Sequence, residues 1–198
     1  MKYRIAKIET FQAGDINFLS TNIYFDKCNN KCPYCHNPEL QCGCEGRTWT
    51  LHDIVATCVT EWVCLMGGDP IHSMDSMQFG TLVDALHSAG KKVCVFSSEF
   101  HPNLVSDVDH WHWHITKRSD WARVVDVRSF AVDRLSISYV SFDTFSVNTF
   151  AKWMLDVPVY VREAIGYEEY SNPHKNANAL RLAGFKTVYD DGEKINVL

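Results

Sequence analysis

Residues 28–35 read Cys28-Asn-Asn-Lys-Cys32-Pro-Tyr-Cys35, and this stretch carries most of the information in the chain. Closely spaced thiolates of this kind hold iron–sulfur clusters, and a cubane cluster needs one ligand for each iron. Electron carriers of the ferredoxin type supply four cysteines, whereas this stretch supplies three. One iron would therefore lack a cysteine ligand. An open position of this kind is where a metal site carries out chemistry.

The spacing of these cysteines, with the aromatic Tyr34 just before the last one, resembles the signature of the radical S-adenosylmethionine (SAM) enzymes. The continuation over residues 36–40, His-Asn-Pro-Glu-Leu, is similar to the activases of glycyl radical enzymes. Within that group it is most like the activating protein of anaerobic ribonucleoside-triphosphate reductase. Residues 67–72, Gly-Gly-Asp-Pro-Ile-His, resemble the stretch with which this family binds the methionine end of SAM. The close resemblance covers about residues 20–100.

The resemblance implies a [4Fe–4S] cluster whose irons bind Cys28, Cys32 and Cys35, while the fourth iron takes the amino and carboxylate groups of SAM. It implies no catalytic side chain beyond these cluster ligands. Flavodoxin or ferredoxin would reduce the cluster, and SAM would be cleaved to methionine and a 5′-deoxyadenosyl radical. That radical would create a glycyl radical on anaerobic ribonucleotide reductase. The implied activity is therefore that of an oxidoreductase that activates a second enzyme.

Several further residues are candidate contacts for SAM. The resemblance suggests that Tyr34 lies near the adenine, although the ring could also pack under the cluster loop. It also suggests that the backbone of Gly67 and Gly68 faces the ammonium and carboxylate of SAM, because glycine lets a ligand approach the main chain. Asp69 would either bond the ammonium or brace the turn. Ser97 would contact the ribose or the methionine, or act as a local cap.

Short apolar runs alternate with helical patterns, which predicts parallel strands joined by helices. A helix over Ile54–Thr60 would be capped by Thr50 or Asp53. Another helix fits Ser76–Ala89 and would be ended by Gly90. Strands are predicted near Asn22–Asp26, Trp62–Met66, Lys92–Phe96, Trp111–Thr116, Leu135–Val140 and Val157–Glu163, and later helices over Phe145–Leu155 and Asn176–Ala183.

The motifs follow the first three predicted strands. The cysteine stretch follows the first strand, the Gly67-Gly68 turn follows the second, and Ser97 follows the third. Parallel α/β folds bind ligands at the carboxyl ends of their strands, so these residues are expected at one edge. The predicted fold class is α/β, and the resemblance implies a partial (β/α) barrel of about six mostly parallel strands. We expect a single domain over residues 1–198, with residues 157–198 as a C-terminal extension.

The composition limits the classes of partner. The chain has 198 residues and a net charge of −5, with no long basic block, which argues against nucleic-acid binding through phosphate contacts. Its start lacks the apolar core of a signal peptide, and no run approaches the roughly 18 apolar residues of a membrane span. We therefore expect a cytoplasmic protein without a membrane or nucleic-acid partner. In that compartment, eight cysteines indicate metal or redox chemistry rather than disulfides.

The remaining cysteines leave alternatives open. Cys42 and Cys44 could bind a second metal with a cysteine at position 58 or 64, or could exchange with the cluster thiols. We favour two free thiols in a glycine-rich loop, because no further close pair completes a ligand set. Cys58, Cys64 and Cys94 fall in predicted helix or strands and are expected to be small, buried, apolar side chains.

A histidine run over residues 110–114 also leaves two interpretations open. On a strand, His110, His112 and His114 would share one face and the two tryptophans the other. Three imidazoles on one face could bind a metal, but ligands spaced along a line do not match a compact coordination sphere. Histidines with hydrogen-bond partners in the interior are therefore the favoured interpretation.

Three alternatives compete with the activase. Zinc could bind the three cysteines with His36, but adjacent Cys35 and His36 reach two corners of one tetrahedron only with difficulty. A radical SAM enzyme similar to the 7-deazaguanine synthases could act on a small molecule, with residues 116–119, Thr-Lys-Arg-Ser, holding an anionic substrate. A non-enzymatic zinc or electron-transfer module is the third. The activase is favoured because residues 36–39 fit that group better.

Overall fold

Strands and helices of a mixed α/β fold make up the computed structural model, which describes residues 1–13, 18–33, 35–43, 46–101, 104, 107–115, 134–140, 155–162 and 172–190. The described residues contain nine strands, namely β1 (Lys2–Ala13), β2 (Leu19–Phe25), β3 (Arg47–Thr50), β4 (Trp62–Gly67), β5 (Lys92–Ser97), β6 (His110–Ile115), β7 (Leu135–Val140), β8 (Val159–Arg162) and β9 (Val188–Asp190). They also contain a 3-10 helix (Pro38–Gln41) and the helices α1 (Leu51–Thr57), α2 (Pro70–Ser73), α3 (Ser76–Ser88) and α4 (Pro173–Leu182).

The chain divides into two units. The first consists of Met1–Lys31 and Asn37–Trp111, and the second of Cys32–His36 and His112–Leu198. In the first unit the strand order is β3-β1-β2-β4-β5. There β1 is antiparallel to both β2 and β3, whereas β2, β4 and β5 are parallel. In the second unit β7, β8 and β9 are neighbours in that order and are parallel.

The core of the first unit lies between its central strands and α3. Asp75 caps the start of this helix. Its carboxylate accepts the Gln78 N–H at 2.8 Å, and the Gln78 side chain accepts the Asp75 N–H at 3.1 Å. The reciprocal pair is a capping box, which satisfies two N–H groups at the helix start. The helix stops before Gly90, whose φ of 72° glycine adopts without strain. The buried side chains on this helix are Phe79, Leu82, Val83 and Leu86.

The second unit packs α4 against β8 and β9. The helix begins at Asn172, whose side chain accepts the Lys175 N–H at 2.9 Å. It ends before Gly184, which has a φ of 98°. Burial of Ala177 and Leu180 on this helix, together with alternate residues of β8, closes the apolar interior of the unit.

The predicted parallel strands are confirmed, with ends shifted by a few residues. The strand expected over Asn22–Asp26 begins earlier, at Leu19, and the one expected over Leu135–Val140 has those bounds. The helix predicted over Ile54–Thr60 is α1, which begins three residues earlier because Thr50 is its cap and accepts the Asp53 N–H at 3.2 Å. Most of the helix predicted over residues 145–155 lies outside the described residues.

The expected count of about six strands is wrong, because β1, β3 and β9 were not predicted. The alternation of charged and apolar residues in β1 is broken where its register with β2 shifts, after Ile5 and after Glu9, and β3 and β9 have only 4 and 3 residues. Closure into a partial barrel and a single domain over residues 1–198 stay predictions. Within the described part of the chain, no helix has the length and apolar character needed to cross a membrane.

Two glycines let the end of β4 and the turn after it lie against the main chain of β2 and of the residues that follow β2. Gly67 has a φ of 98°, and a Cβ there would lie 2.6 Å from the Cα of Tyr24. A Cβ at Gly68 would lie 2.4 Å from the carbonyl oxygen of Lys27. Both obstacles are backbone atoms, which cannot rotate away as a flexible side chain would. The two glycines are therefore required by packing within the protein, whatever else they contact.

We expect Gly67→Ala to lower the free energy of unfolding by about 2 kcal/mol or more, because it combines a left-handed φ with a backbone clash. Gly68→Ala should be destabilising for the second reason alone. Gly80→Ala in α3 is the matched control, since no atom lies within 4 Å of its added Cβ. Removing a glycine from a helix interior should add about 0.5–1 kcal/mol. Urea unfolding followed by circular dichroism measures all three, and a Gly67→Ala chain as stable as the parent would contradict this account.

Candidate metal centre

Three strand ends of the first unit carry the residues that the sequence singled out. Because β2, β4 and β5 are parallel, their carboxyl ends lie at one edge of the sheet. Cys28 follows the end of β2, the Gly67-Gly68 turn ends β4, and Ser97 is the last residue of β5. The structure therefore brings Cys28, the glycine turn and Ser97 to the same edge, as their positions after predicted strands indicated.

Backbone hydrogen bonds join the turn after β4 to the chain that leads to the first cysteine. The Gly68 N–H donates to the Phe25 carbonyl at 2.9 Å, and the Asp69 N–H donates to the Lys27 carbonyl at 2.8 Å. The Ser73 hydroxyl of α2 donates to the same Lys27 oxygen at 3.0 Å. The start of the cysteine stretch is thus held against the glycine turn by the main chain itself.

The carboxylate of Asp69 bridges the ends of β4 and β5. Its Oδ1 accepts the Ile71 N–H at 2.9 Å and the Ser97 hydroxyl at 2.8 Å. Its Oδ2 accepts the Ser98 N–H at 2.9 Å and the Ser98 hydroxyl at 2.7 Å. Asp69 is only 3% exposed. Of the two roles considered for Asp69, bracing of the turn is the one that these contacts show, and contact with SAM stays a prediction.

His72, one turn along α2 from Asp69, contacts the first cysteine. Its Nδ1 lies 3.7 Å from the Cys28 sulfur and accepts the Asn29 N–H at 3.2 Å. Because Nδ1 acts as an acceptor, a neutral ring carries its proton on Nε2, which lies 3.7 Å from a carboxylate oxygen of Glu99. His72 was not predicted to be a functional residue. Its place three residues after Asp69, on the helix that follows the glycine turn, was the available signal.

The other two cysteines of the stretch belong to the second unit. There the Cys35 N–H donates to the Cys32 carbonyl at 3.2 Å, which closes a tight turn around Pro33. Tyr34 lies outside the described residues. Cys28, Cys32 and Cys35 are all half-buried, and none of the three is in a disulfide. Partly accessible thiols that are not oxidised in pairs are a suitable donor set for an iron–sulfur cluster.

A site for a single metal ion, unlike a cluster, needs ligands that converge on one point. Within the described ranges, no three side chains of His, Cys, Asp or Glu are placed to hold one metal ion together. A cubane cluster binds each cysteine to a different iron, so its ligands do not need to converge on a single point. That the three cysteines are cluster ligands stays a prediction, which rests on their spacing in the sequence.

Three other cysteines are buried, as the sequence predicted. Cys58, Cys64 and Cys94 are 3%, 1% and 0% exposed. Burial raises the pKa of the Cys58 thiol to about 11, so this side chain stays protonated at neutral pH and is a poor metal ligand. Cys42 is exposed, and its thiol donates to the Glu39 carbonyl at 3.3 Å. Cys44 lies outside the described residues.

The histidine run contains at least one histidine that is bonded within the protein interior. His112 is 2% exposed, its Nδ1 lies 2.7 Å from the Ser136 hydroxyl, and its ring packs against Tyr160 at 5.6 Å between centroids. Burial also lowers the pKa of His110, which favours its neutral form. These contacts agree with the favoured interpretation of histidines that find partners in the interior.

Comparison with known families gives one result for this chain. The model of the 4Fe-4S single cluster domain matches residues 19–130, which is more than half of the 198 residues. The match begins with β2 and includes the cysteine stretch, the glycine turn and Ser97. No curated protein matches the chain. The chain belongs to the family of 4Fe-4S single cluster domains.

Proposed function

We propose that this protein is a radical SAM enzyme that activates anaerobic ribonucleotide reductase by creating a glycyl radical on it. One observation carries the proposal. The chain that leads to Cys28 and the Gly67-Gly68 turn are hydrogen-bonded side by side at the carboxyl edge of parallel strands. A cluster ligand and a turn suited to SAM then lie together where α/β folds bind ligands.

In this proposal Cys28, Cys32 and Cys35 would hold three irons of the [4Fe–4S] cluster of this family and leave the fourth iron for SAM. When bound, the cluster would supply the electron for reductive cleavage of SAM to methionine and a 5′-deoxyadenosyl radical, the species that would abstract a hydrogen atom from a glycine of the partner. In this proposal the protein holds the three thiolates in position, offers backbone hydrogen-bonding groups to SAM and keeps water away from the reacting atoms. Backbone atoms of Gly67 and Gly68 and the ring of Tyr34 are the proposed contacts for SAM.

The choice of substrate rests on similarity in sequence. Residues 36–40 fit the activases. The last three of them lie in the 3-10 helix Pro38–Gln41, in which Leu40 is 2% exposed. Burial of Leu40 anchors the chain after the last cysteine. Flavodoxin or ferredoxin is the proposed electron donor, and the cytoplasm is the proposed compartment.

Cys32→Ala should abolish both the assembled cluster and the reductive cleavage of SAM, because the cubane would lose one of three protein ligands. Cys42→Ala is the matched control, since Cys42 is an exposed thiol ten residues further along the same region. It should keep about four irons and four sulfides per chain. Iron and sulfide analysis after anaerobic reconstitution, followed by detection of 5′-deoxyadenosine, measures both properties.

Retention of full iron content and SAM cleavage in the Cys32→Ala chain would contradict the ligand assignment. One zinc per chain and no sulfide in the parent protein would instead support the zinc module. A cluster that is reduced and reoxidised without binding SAM would support an electron-transfer role.

Incubation of the reduced protein with SAM and anaerobic ribonucleotide reductase should produce a glycyl radical signal in electron paramagnetic resonance. A reductase in which the acceptor glycine is replaced by alanine is the control and should give no such signal. Cleavage of SAM with no radical on the reductase would count against the activase and favour an enzyme that acts on a small molecule.

A further inference from the structure

We propose that Asp69 is a positioning residue for the chain segment that begins at Cys28, acting through Ser98 and Asn30, and that it does not contact SAM. This segment, Cys28–Asn30, is called the first cysteine arm below. The proposal deepens the proposed function, because it rests on Cys28 being a cluster ligand. It departs from the expectation that Asp69 meets the ammonium of SAM.

The first step is the acceptor capacity of Asp69. An ionised carboxylate has about four lone-pair sites. In this structure four donors occupy them, two on each oxygen, and all four come from residues of the same protein. The side chain is almost fully buried, so these bonds also compensate the loss of water around its charge. An ammonium could bond Asp69 only by displacing one of these donors.

The second step is a hydrogen-bonded path from Asp69 to the first cysteine arm. The Asn30 side-chain amide donates to the Ser98 hydroxyl at 2.6 Å, and that hydroxyl in turn donates to Asp69 at 2.7 Å. The Ser98 hydroxyl accepts one of these bonds and donates the other, so the two bonds run in the same direction and reinforce each other. Asp69 thereby fixes the position of Asn30, two residues after Cys28.

The third step concerns the rest of the arm and the residue before it. The Asn29 N–H donates to Nδ1 of His72, which follows Asp69 by three residues in α2. The Asp69 N–H itself bonds the carbonyl of Lys27, the residue just before the arm. Asp69 and its direct neighbours therefore hold the chain before, within and at the end of the arm. Such a framework is what keeps a ligand in place before its cofactor binds.

The test uses the cluster-free chain and measures hydrogen exchange of the amides over residues 27–31. Asn30→Ala removes one bond of the path and Ser98→Ala removes both, so we expect exchange to rise roughly threefold to tenfold in each. Because both changes break the same path, the double variant should exchange no faster than the more affected single variant. Ser98→Thr keeps the hydroxyl and should exchange as the parent does.

Asp69→Asn should increase exchange by about tenfold or more, because an amide accepts at one atom only and turns its NH₂ group toward other donors. In the reconstituted protein without SAM, Ser98→Ala should alter the electron paramagnetic resonance spectrum of the reduced cluster, and Ser98→Thr should not. If Asp69→Asn fails to fold, the two Ser98 variants still decide the question.

The proposal is overturned if Asp69→Asn weakens SAM binding while exchange over residues 27–31 and the cluster spectrum stay unchanged. It is also overturned if Ser98→Ala and Asn30→Ala leave exchange unchanged. Failure of the proposed function gives a different result. A chain that assembles no cluster, or a cluster that never cleaves SAM, still shows faster exchange in these variants if Asp69 positions the arm.

Discussion

Asp69 links the chain segments that follow β2, β4 and β5 in the first unit. It joins the turn after β4 to the end of β5, and its own backbone joins that turn to the chain after β2. A buried charge needs this many partners, since each lost bond leaves a desolvated acceptor. The geometry at this edge of the parallel strands therefore depends on the Asp69 side chain and on Gly67 and Gly68. These two glycines let the turn after β4 approach the main chain at Tyr24 and Lys27.

The central strands β4 and β5 could be predicted because each is a short, largely apolar run that ends in glycine or serine. Val63, Leu65 and Val95 have no exposed surface, and this burial is the property that the apolar runs signal. β1 was missed although Lys2–Ile5 alternate between charged and apolar side chains, as a half-buried strand does. The alternation does not continue where the pairing register with β2 shifts, after Ile5 and again after Glu9. The strands β3 and β9 are too short to show a period, so pairing with neighbours determines them.

The site could be predicted in its residue types but only partly in their roles. The cysteines and the glycine turn stand out because their spacing is unusual in itself. The steric reason for Gly67 and Gly68 was not visible, because it lies in backbone atoms of Tyr24 and Lys27 about 40 residues earlier in the chain. His72 was overlooked for the same reason, since its contact with the first cysteine arm exists only once the strands are paired.

The burial of the cysteines determines which thiols an oxidant can reach. Three cysteines, at positions 58, 64 and 94, are buried in the apolar interior, whereas those at positions 28, 32 and 35 are half-buried and Cys42 is exposed. Oxidation follows thiolate character and access, so peroxide would modify the loop and leave the hydrophobic interior intact. Damage would then begin at these accessible thiols and, while it remains at the stage of sulfenic acid or disulfide, would be reversible by thiol reductants. The buried thiols, and the packing of the strands around them, would be reached last.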